Sequence, residues 1–330
     1  MVSADRIQLS VAEAREHSER ALRGIGYDAG EARIIADHVI DAALCGYEYS
    51  GLAKILNIPE HRRFKRPRHP MQVLRETEVS TLYDGGNNVG MLVMYHAARA
   101  AIDKSAARGI AVVGVTNSWM SGRSAYYMEM VAKAGLVGMH TAASARSVAP
   151  FGGTRPALGT NPIAFGMPSS CGPVVLDMGT SAFMGTDLAY RERMGQLLPD
   201  GAAVDAEGRP TRDPAMARLG ALLPFGGYKG FGLAFIVQAL GVLAGSALDP
   251  DGDDGYLFVV LKPDLLIDPE DFKKQLSGLI DRIKDTPRQP GVREIRIPGE
   301  RAFRSREQGL RDGIEIDKVV YDALQALHLD

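Results

Sequence analysis

Two neighbouring stretches hold the residues best suited to chemistry. Gly159-Thr160-Asn161-Pro162 is turn-forming, and Ile163 to Met167 behind it reads as a short apolar strand. A second apolar run, Pro173 to Leu176, ends on Asp177, followed by Met178, Gly179, Thr180 and Ser181. Small and hydroxyl-bearing residues at strand ends present N–H and O–H donors at a sheet edge, which suits phosphates and ribose hydroxyls. Two core strands joined by ordinary turns would show the same pattern. A third stretch, Gly226-Gly227-Tyr228-Lys229-Gly230, opens a long apolar run. Its glycines let backbone approach a ligand or let a helix pack closely on a sheet, and Lys229 adds charge to a positive helix end.

Composition narrows the classes. The 330 residues are 45% hydrophobic and 24% charged, with a formal net charge of -2. A chain of that size builds a large core, in two lobes, and gives no electrostatic reason to bind nucleic acid or an anionic membrane. Cys45 and Cys171 are in no metal-like spacing, and the seven histidines are scattered, so no metal is expected. Asp5, Arg6, Glu13, Arg15 and Glu16 stand where a signal peptide needs an apolar run, so the expected compartment is the cytoplasm. The run Gly230 to Leu248 is broken by small residues and Gln238, which predicts a buried helix and not a membrane span. There is no G-x-G-x-x-G after a strand, no P-loop, no H-E-x-x-H and no G-x-S-x-G.

The elements that must position these stretches follow from periodicity. Ser10 with Glu13 predicts a capped helix over Val11 to Arg23, and a second helix runs from Ala29 to Leu44. The basic, proline-punctuated run His61 to His69 reads as a solvated linker between lobes. Beyond it the pattern becomes α/β. A strand at Ser80 to Tyr83 enters a turn cluster, Asp84 to Asn87, then a helix from Gly90 to Arg108. A strand Ile110 to Val115, a loop Asn117 to Gly122, a helix Ser124 to Ala134 and a strand Leu136 to Thr141 follow. Further helices are expected over Ala182 to Met194 and Pro269 to Lys284, with a strand over Tyr256 to Leu261 and a last helix capped by Asp317.

Taken together the motifs resemble one family, the type 2 malate/L-lactate dehydrogenases, which also holds L-sulfolactate, ureidoglycolate and 2,3-diketo-L-gulonate oxidoreductases and Δ1-piperideine-2-carboxylate reductases. The matching pieces are Asn117-Ser118, Tyr126-Tyr127, Val148-Ala149-Pro150, Leu158 to Gly166, Asp177-Met178 with Thr180-Ser181, Asp205 to Pro214, Gly227 to Gly230, and Pro298-Gly299-Glu300. They occur in order across nearly the whole chain. The resemblance implies an α/β (α+β) fold whose mixed-sheet domain, residues 71–285, binds NAD or NADP without a Rossmann fingerprint. It implies a helical domain built from both chain ends, 1–70 with 286–330, and a homodimer. By the same resemblance the cofactor lies against Ser118, Met120, Gly122, Asn161, Asp177, Met178, Gly179, Thr180, Ser181, Tyr228, Lys229, Gly299, Glu300 and Arg301.

The chain departs from the family where the chemistry sits. The usual Ser-His-Gly, whose imidazole is the family's proposed proton carrier, is Tyr49-Ser50-Gly51 here, and a hydroxyl is a poor acid or base near pH 7. Lys54 replaces a carboxylate-binding Arg and lacks its planar fork. Met120-Ser121-Gly122 replaces His-Phe-Gly, and Asp187 replaces a lysine, as in the cyclic-imine reductase branch. The resulting expectation is a hydride transfer between nicotinamide and a 2-hydroxy or 2-oxo acid or a cyclic imino acid, bulky or aromatic ones included. Lys54 would hold the carboxylate of this small-molecule substrate, with Arg123 or Arg146 as further cations, and Thr160 would bond the substrate. Asp187, or a water held by Ser50 and Tyr49, would move the proton. The alternative is a repurposed relative that binds nucleotide without turnover.

Overall fold

In a computed structural model the chain is described over residues 5–248, 251 and 254–327; His328 lies outside them. Strand β1 (Arg6–Leu9) leads into α1 (Val11–Gly24), whose start carries the full reciprocal capping box of Ser10 and Glu13. Asp28 and Glu31 build a second such box at the head of α2 (Ala29–Leu44). Each box satisfies two of the orphan N–H groups of a helix start. A turn, Glu48–Ser50, then enters α3 (Ala53–Glu60).

Seven strands form the main sheet. β2 (Gln72–Glu76), β3 (Ser80–Val89), β4 (Ile110–Trp119), β5 (Val137–Ala143), β6 (Ile163–Ser169), β7 (Gly172–Met178) and a later strand Gly255–Leu261 lie in the order β2-β3-β4-(255–261)-β5-β6-β7. Only β3 and β4 run parallel, joined across α4 (Gly90–Arg108); the other pairs are antiparallel, so the sheet is mixed. α5 (Ser124–Lys133) and α4 cover it through Met94, Ala97, Val113, Tyr127, Met128, Val131 and Phe258. Removing side chains of that size from water stabilises by roughly 1.5–3 kcal/mol each.

After β7 come α6 (Gly185–Arg193), a small sheet of β8 (Ala203–Val204), β9 (Pro210–Thr211) and β10 (Ala221–Leu222), and α7 (Pro214–Leu219) within it. The long helix α8 (Tyr228–Leu243) follows, then the sheet strand β11 (Gly255–Leu261) and α9 (Pro269–Lys284). The chain ends with α10 (Glu300–Asp312), β12 (Ile314–Asp317) and α11 (Lys318–Gln325). β12 pairs antiparallel with β1, and Ile314, Ile316, Val320 and Leu324 share one apolar cluster with Leu9, Ala14, Ile35 and Ile55. The two chain ends thus bury a single core together.

Four expectations differ from the fold. Asp317 stands at the head of α11, but among the described residues its carboxylate makes no capping hydrogen bond and binds Arg6 at 3.0 Å and Tyr190. The Asp84 to Asn87 cluster is no turn: β3 runs through it as a bulge, with Gly86 at φ 66° and Asn87 at φ 57°. A Cβ on Gly86 would stand 2.1 Å from the His69 carbonyl oxygen, so close backbone approach selects the glycine. β4 likewise continues to Trp119, beyond Val115.

The basic run is no solvated linker either. Arg63 is fully buried, donating to Asn87 Oδ1 at 2.9 Å and Asn117 Oδ1 at 2.6 Å, with Asp254 at 3.5 Å. Asn87 in turn donates to the carbonyls of Arg63, Arg66 and Pro67. Arg62 and Arg66 pair with Asp251, and Arg68 with Glu31. Local composition signalled polarity; the partners that bury it come from distant strands. Among the described residues no helix is long and apolar enough to cross a membrane.

Candidate active site

A cavity of about 390 Å³ opens between the turn and helix 47–60, the end of β4, the start of α5 and the turns that follow β5 and β7. Of the residues singled out from sequence, Tyr49, Ser50, Lys54, Met120, Gly122, Thr160, Asp177, Met178 and Gly179 line it. Ser118, Asn161, Thr180 and Ser181 sit behind the lining as framework. Asp187, Tyr228, Lys229, Gly299, Glu300 and Arg301 are not part of it.

The framework residues spend their polar groups on the protein itself. Asn161, at φ 39° and fully buried, donates to Ala234 O at 3.0 Å and Gln238 Oε1 at 2.9 Å and accepts from Ser144 N–H at 3.2 Å. Thr180 donates through Oγ1 to Thr160 O at 3.1 Å, and its N–H reaches the same carbonyl at 3.0 Å. Ser181 donates to Phe183 O and Ser118 to Asn88 O. Asp177 accepts the Ala125 N–H at 2.7 Å and so caps the start of α5. Burial raises its carboxyl above the usual range, while Ala125, Arg123 and Ser124 pull it back down.

The helical wall is different. Lys54 is only 4% exposed, and among the described residues its ammonium has no hydrogen bond and no ion pair. Burial alone brings it down to about 8. Arg123 donates through Nη1 to Asp41 at 2.8 Å and lines the cavity. Its backbone N–H donates to His38 Nε2 at 2.8 Å, and burial, then Lys54 and Arg123, hold that imidazole neutral. Asp41 also binds Arg306 at 2.7 Å, and Arg306 makes a two-pronged pair with Glu129 at 2.7 and 2.6 Å. A ladder of alternating charges therefore runs from α10 to the cavity wall. Tyr47 lies beside two guanidiniums, 5.1 Å from Arg123 and 4.7 Å from Arg301.

His61, read as linker, lines the cavity and stacks face to face on Trp119, 4.3 Å between ring centres and 2° between planes. Its Nδ1 accepts the Arg63 N–H at 3.3 Å, which assigns the ring proton to Nε2. Burial first, then Arg62 and Arg63, push it down to about 4. Asp254, Tyr256 and Met184 also line the cavity. No spacing in the sequence marks these residues, because they come from separate parts of the chain: Asp254 and Tyr256 from the start of β11, His61 from the end of α3 and Met184 from the start of α6. Asp187 sits on the first turn of α6, its carboxylate 3.5 Å from Arg191; burial raises it, and Arg191 opposes the rise. Glu300 caps its own helix through the Ile297 N–H at 3.1 Å and pairs with Lys284. Among the described residues no group of three or more His, Cys, Asp or Glu side chains is arranged to hold a metal.

The comparisons with known proteins make this chain a dehydrogenase/reductase. A sequence profile described as malate/L-lactate dehydrogenase matches residues 9–325, and the chain belongs to that family. It is 34% identical over 304 residues to an L-sulfolactate dehydrogenase of Methanothermobacter thermautotrophicus, covering 88% of this chain and 87% of that one. It is 31% identical to a Delta(1)-pyrroline-2-carboxylate reductase of Ancylobacter novellus, covering 97% of each. The solved sulfolactate dehydrogenase of Methanocaldococcus jannaschii superposes with a TM-score of 0.84 at 30% identity, over 97% of this chain and 96% of that one.

Proposed function

We propose that the cavity transfers a hydride between a nicotinamide cofactor and a carbon next to a carboxylate, in a 2-hydroxy/2-oxo acid or a cyclic imino acid. The observation that carries this reading is a buried ammonium in the cavity wall, Lys54, that lacks an anionic partner among the described residues. Arg123 has only Asp41 among them. The two lining carboxylates are occupied, Asp177 by the start of α5 and Asp254 by Arg63. Such a pocket favours an anionic substrate.

A nicotinamide fits the remaining donors. Ser124 Oγ is buried beside the cavity without a hydrogen-bond partner, and the hydroxyls of Thr160, Ser144 and Ser147 line the same space. The cofactor, when bound, supplies or takes the hydride at its C4. Thr160 bonds the substrate, and Ser50 and Tyr49 orient a water or the reacting group; burial keeps Tyr49 protonated, so it acts as a hydrogen-bond donor. The stacked His61–Trp119 pair, with Tyr47, Tyr49 and Tyr256, makes a planar wall suited to a bulky or aromatic substituent. A 2′-phosphate needs a cation that is not already paired. Arg301 and Lys229 have no ion pair among the described residues, whereas Arg62, Arg63, Arg66 and Arg68 all do.

A homodimer is supported by α8. Tyr228, Phe235, Ile236, Val242 and Leu243 lie at helical spacing along its outer side, each more than half exposed. An apolar stripe of that length on a soluble chain marks an association surface. Phe235→Lys should convert a dimer into a monomer in sedimentation. The two cysteines, buried Cys45 and exposed Cys171, are unpaired, in keeping with a reducing cytoplasm.

The test is titration of the purified protein with NADH and NADPH by nicotinamide fluorescence, then turnover of pyruvate, oxaloacetate, phenylpyruvate and Δ1-piperideine-2-carboxylate. Micromolar binding with turnover of any of these is expected; absence of nucleotide binding would overturn the reading.

A further inference from the structure

We propose that Lys54 is the group that exchanges the proton with the substrate's reacting oxygen or nitrogen, and that Arg123 holds the substrate carboxylate. The inference deepens the reading above and rests on it. A lysine standing where relatives carry a carboxylate-binding arginine would by simple analogy be the anchor. The geometry points to the other division of labour.

Arg123 lines the cavity, spends Nη1 on Asp41 and makes no other side-chain hydrogen bond among the described residues, so Nε and Nη2 are uncommitted. Two adjacent donors on a rigid plane match a carboxylate, and Asp41, Arg306 and Glu129 fix that plane. Lys54 offers one compact ammonium, enclosed and, among the described residues, without a paired counter-charge. An enclosed cation with no partner gives up its proton readily, and burial sets the Lys54 equilibrium near 8.

The other groups around Lys54 do not compete. The turn Glu48–Ser50, α1 and α11 pack against α3. Glu48 is committed to Arg6 and Tyr190, while Tyr49 is held protonated. α1 and α11 meet α3 through the cluster holding Ala14, Ile55, Ile58, Val320 and Leu324. Their polar groups bond to each other, His17 with Arg20 and Gln325, and Lys318 with Asp322. On α3 itself Glu60 pairs with Arg193. Across the cavity, His61 is neutral throughout the working range, Asp177 caps α5, Asp254 faces Arg63 and Tyr256 donates to Asp254 and the Ser118 carbonyl. His38 behind the wall is occupied by the Arg123 N–H.

In the reducing direction the hydride adds to the carbonyl or imine carbon, the π pair moves to oxygen or nitrogen, and the Lys54 ammonium protonates that atom. The neutral amine then regains a proton from water. Oxidation runs the same step backwards, with the neutral amine as base. Reduction therefore needs the charged lysine and should lose kcat/KM as pH rises through 8, whereas oxidation should gain over the same interval.

The deciding variant is Lys54→Arg, which keeps the charge but not the titration. With the substrates and cofactors named above, kcat should fall about 100-fold or more while KM stays within about threefold, and the limb near pH 8 should vanish. Lys54→Met should be rescued in part by added ethylamine, and Arg123→Gln should raise KM at least about tenfold. Nucleotide binding retained in all three shows that they fold. Lys54→Arg with unchanged kcat and an equal or lower KM would overturn the proposal and make Lys54 the anchor. If no substrate of the panel turns over, ¹⁵Nζ NMR of labelled lysine, assigned with Lys54→Arg, still decides. Titration near pH 8 supports the proposal, and titration at the ordinary lysine value overturns it.

Discussion

The cavity has two walls that handle polar groups in opposite ways. On the sheet side, Asn161, Asp177, Thr180 and Ser181 look like binding residues by type, yet each hydrogen-bonds to its own chain. On the helical side, among the described residues, the Lys54 ammonium has no polar partner and the Arg123 side chain hydrogen-bonds only to Asp41. A residue type that can bind a ligand does so only if the fold leaves it unsatisfied, since a buried donor or acceptor takes the nearest good partner. On the reading proposed above, these four sheet-side residues act as scaffold and the proton and carboxylate chemistry falls to the helical wall. Substitutions in the first should therefore cost stability, and substitutions in the second should cost rate or affinity.

The largest effect is expected at Gly122, which joins the two walls. Its φ is 79°, and an added Cβ would stand 2.2 Å from His38 Nε2, the acceptor of the Arg123 N–H. Gly122→Ala combines strain with overpacking and should cost about 4 kcal/mol in urea unfolding. The survivors should bind substrate poorly, because Arg123 is displaced. Asn161→Ala comes next, at about 3 kcal/mol, from three lost hydrogen bonds and a positive φ without the amide that tolerates it. If Asn161→Ala instead keeps its stability and raises KM, the separation of the walls fails.

The acid limb of stability gives a third test. His140, buried on β5 against Phe258, is lowered by burial to about 4, against ~6.5 in an unfolded chain. As pH falls the unfolded chain takes the proton first. The stability contributed by neutral His140 is whole above pH 6.5 and drains away between 6.5 and 4, up to about 3 kcal/mol. His140→Leu should flatten that part of the pH curve. At pH 7 it should cost about 1 kcal/mol, for the hydrogen bond that Nδ1 donates to Leu257 O at 3.1 Å. The smallest effect belongs to Asp187→Asn. That carboxylate lies outside the lining and faces Arg191, so kcat should change less than about threefold. A loss of 100-fold would return Asp187 to the proton path.

Much of the fold was legible. Helix 11–24 follows from its capping box, and helices 29–44, 90–108 and 269–284 from residue pattern, both of which act within a turn or two. α10 and the β1–β12 pair were missed, the pair because strands four residues long carry little pattern and find each other across the whole chain. The site was legible in part. Tyr49, Ser50, Lys54, Thr160 and Asp177 do come together, while His61 and the depth of Arg63 were hidden in a run whose composition reads as solvent-facing.

The sequence by itself determined where helices start and stop and which family the ordered motifs belong to. It also put Ser50 and Met120 where the resemblance leads one to expect imidazoles. Only the tertiary structure decided which polar groups remain free. Asn87, Asn117 and Asp254 converge on Arg63 from three strands or turns and bury it, while among the described residues no polar partner converges on Lys54. Local rules set backbone conformation because their interactions span a few residues. Satisfaction of a buried charge depends on partners far away in the chain, and those are chosen by packing.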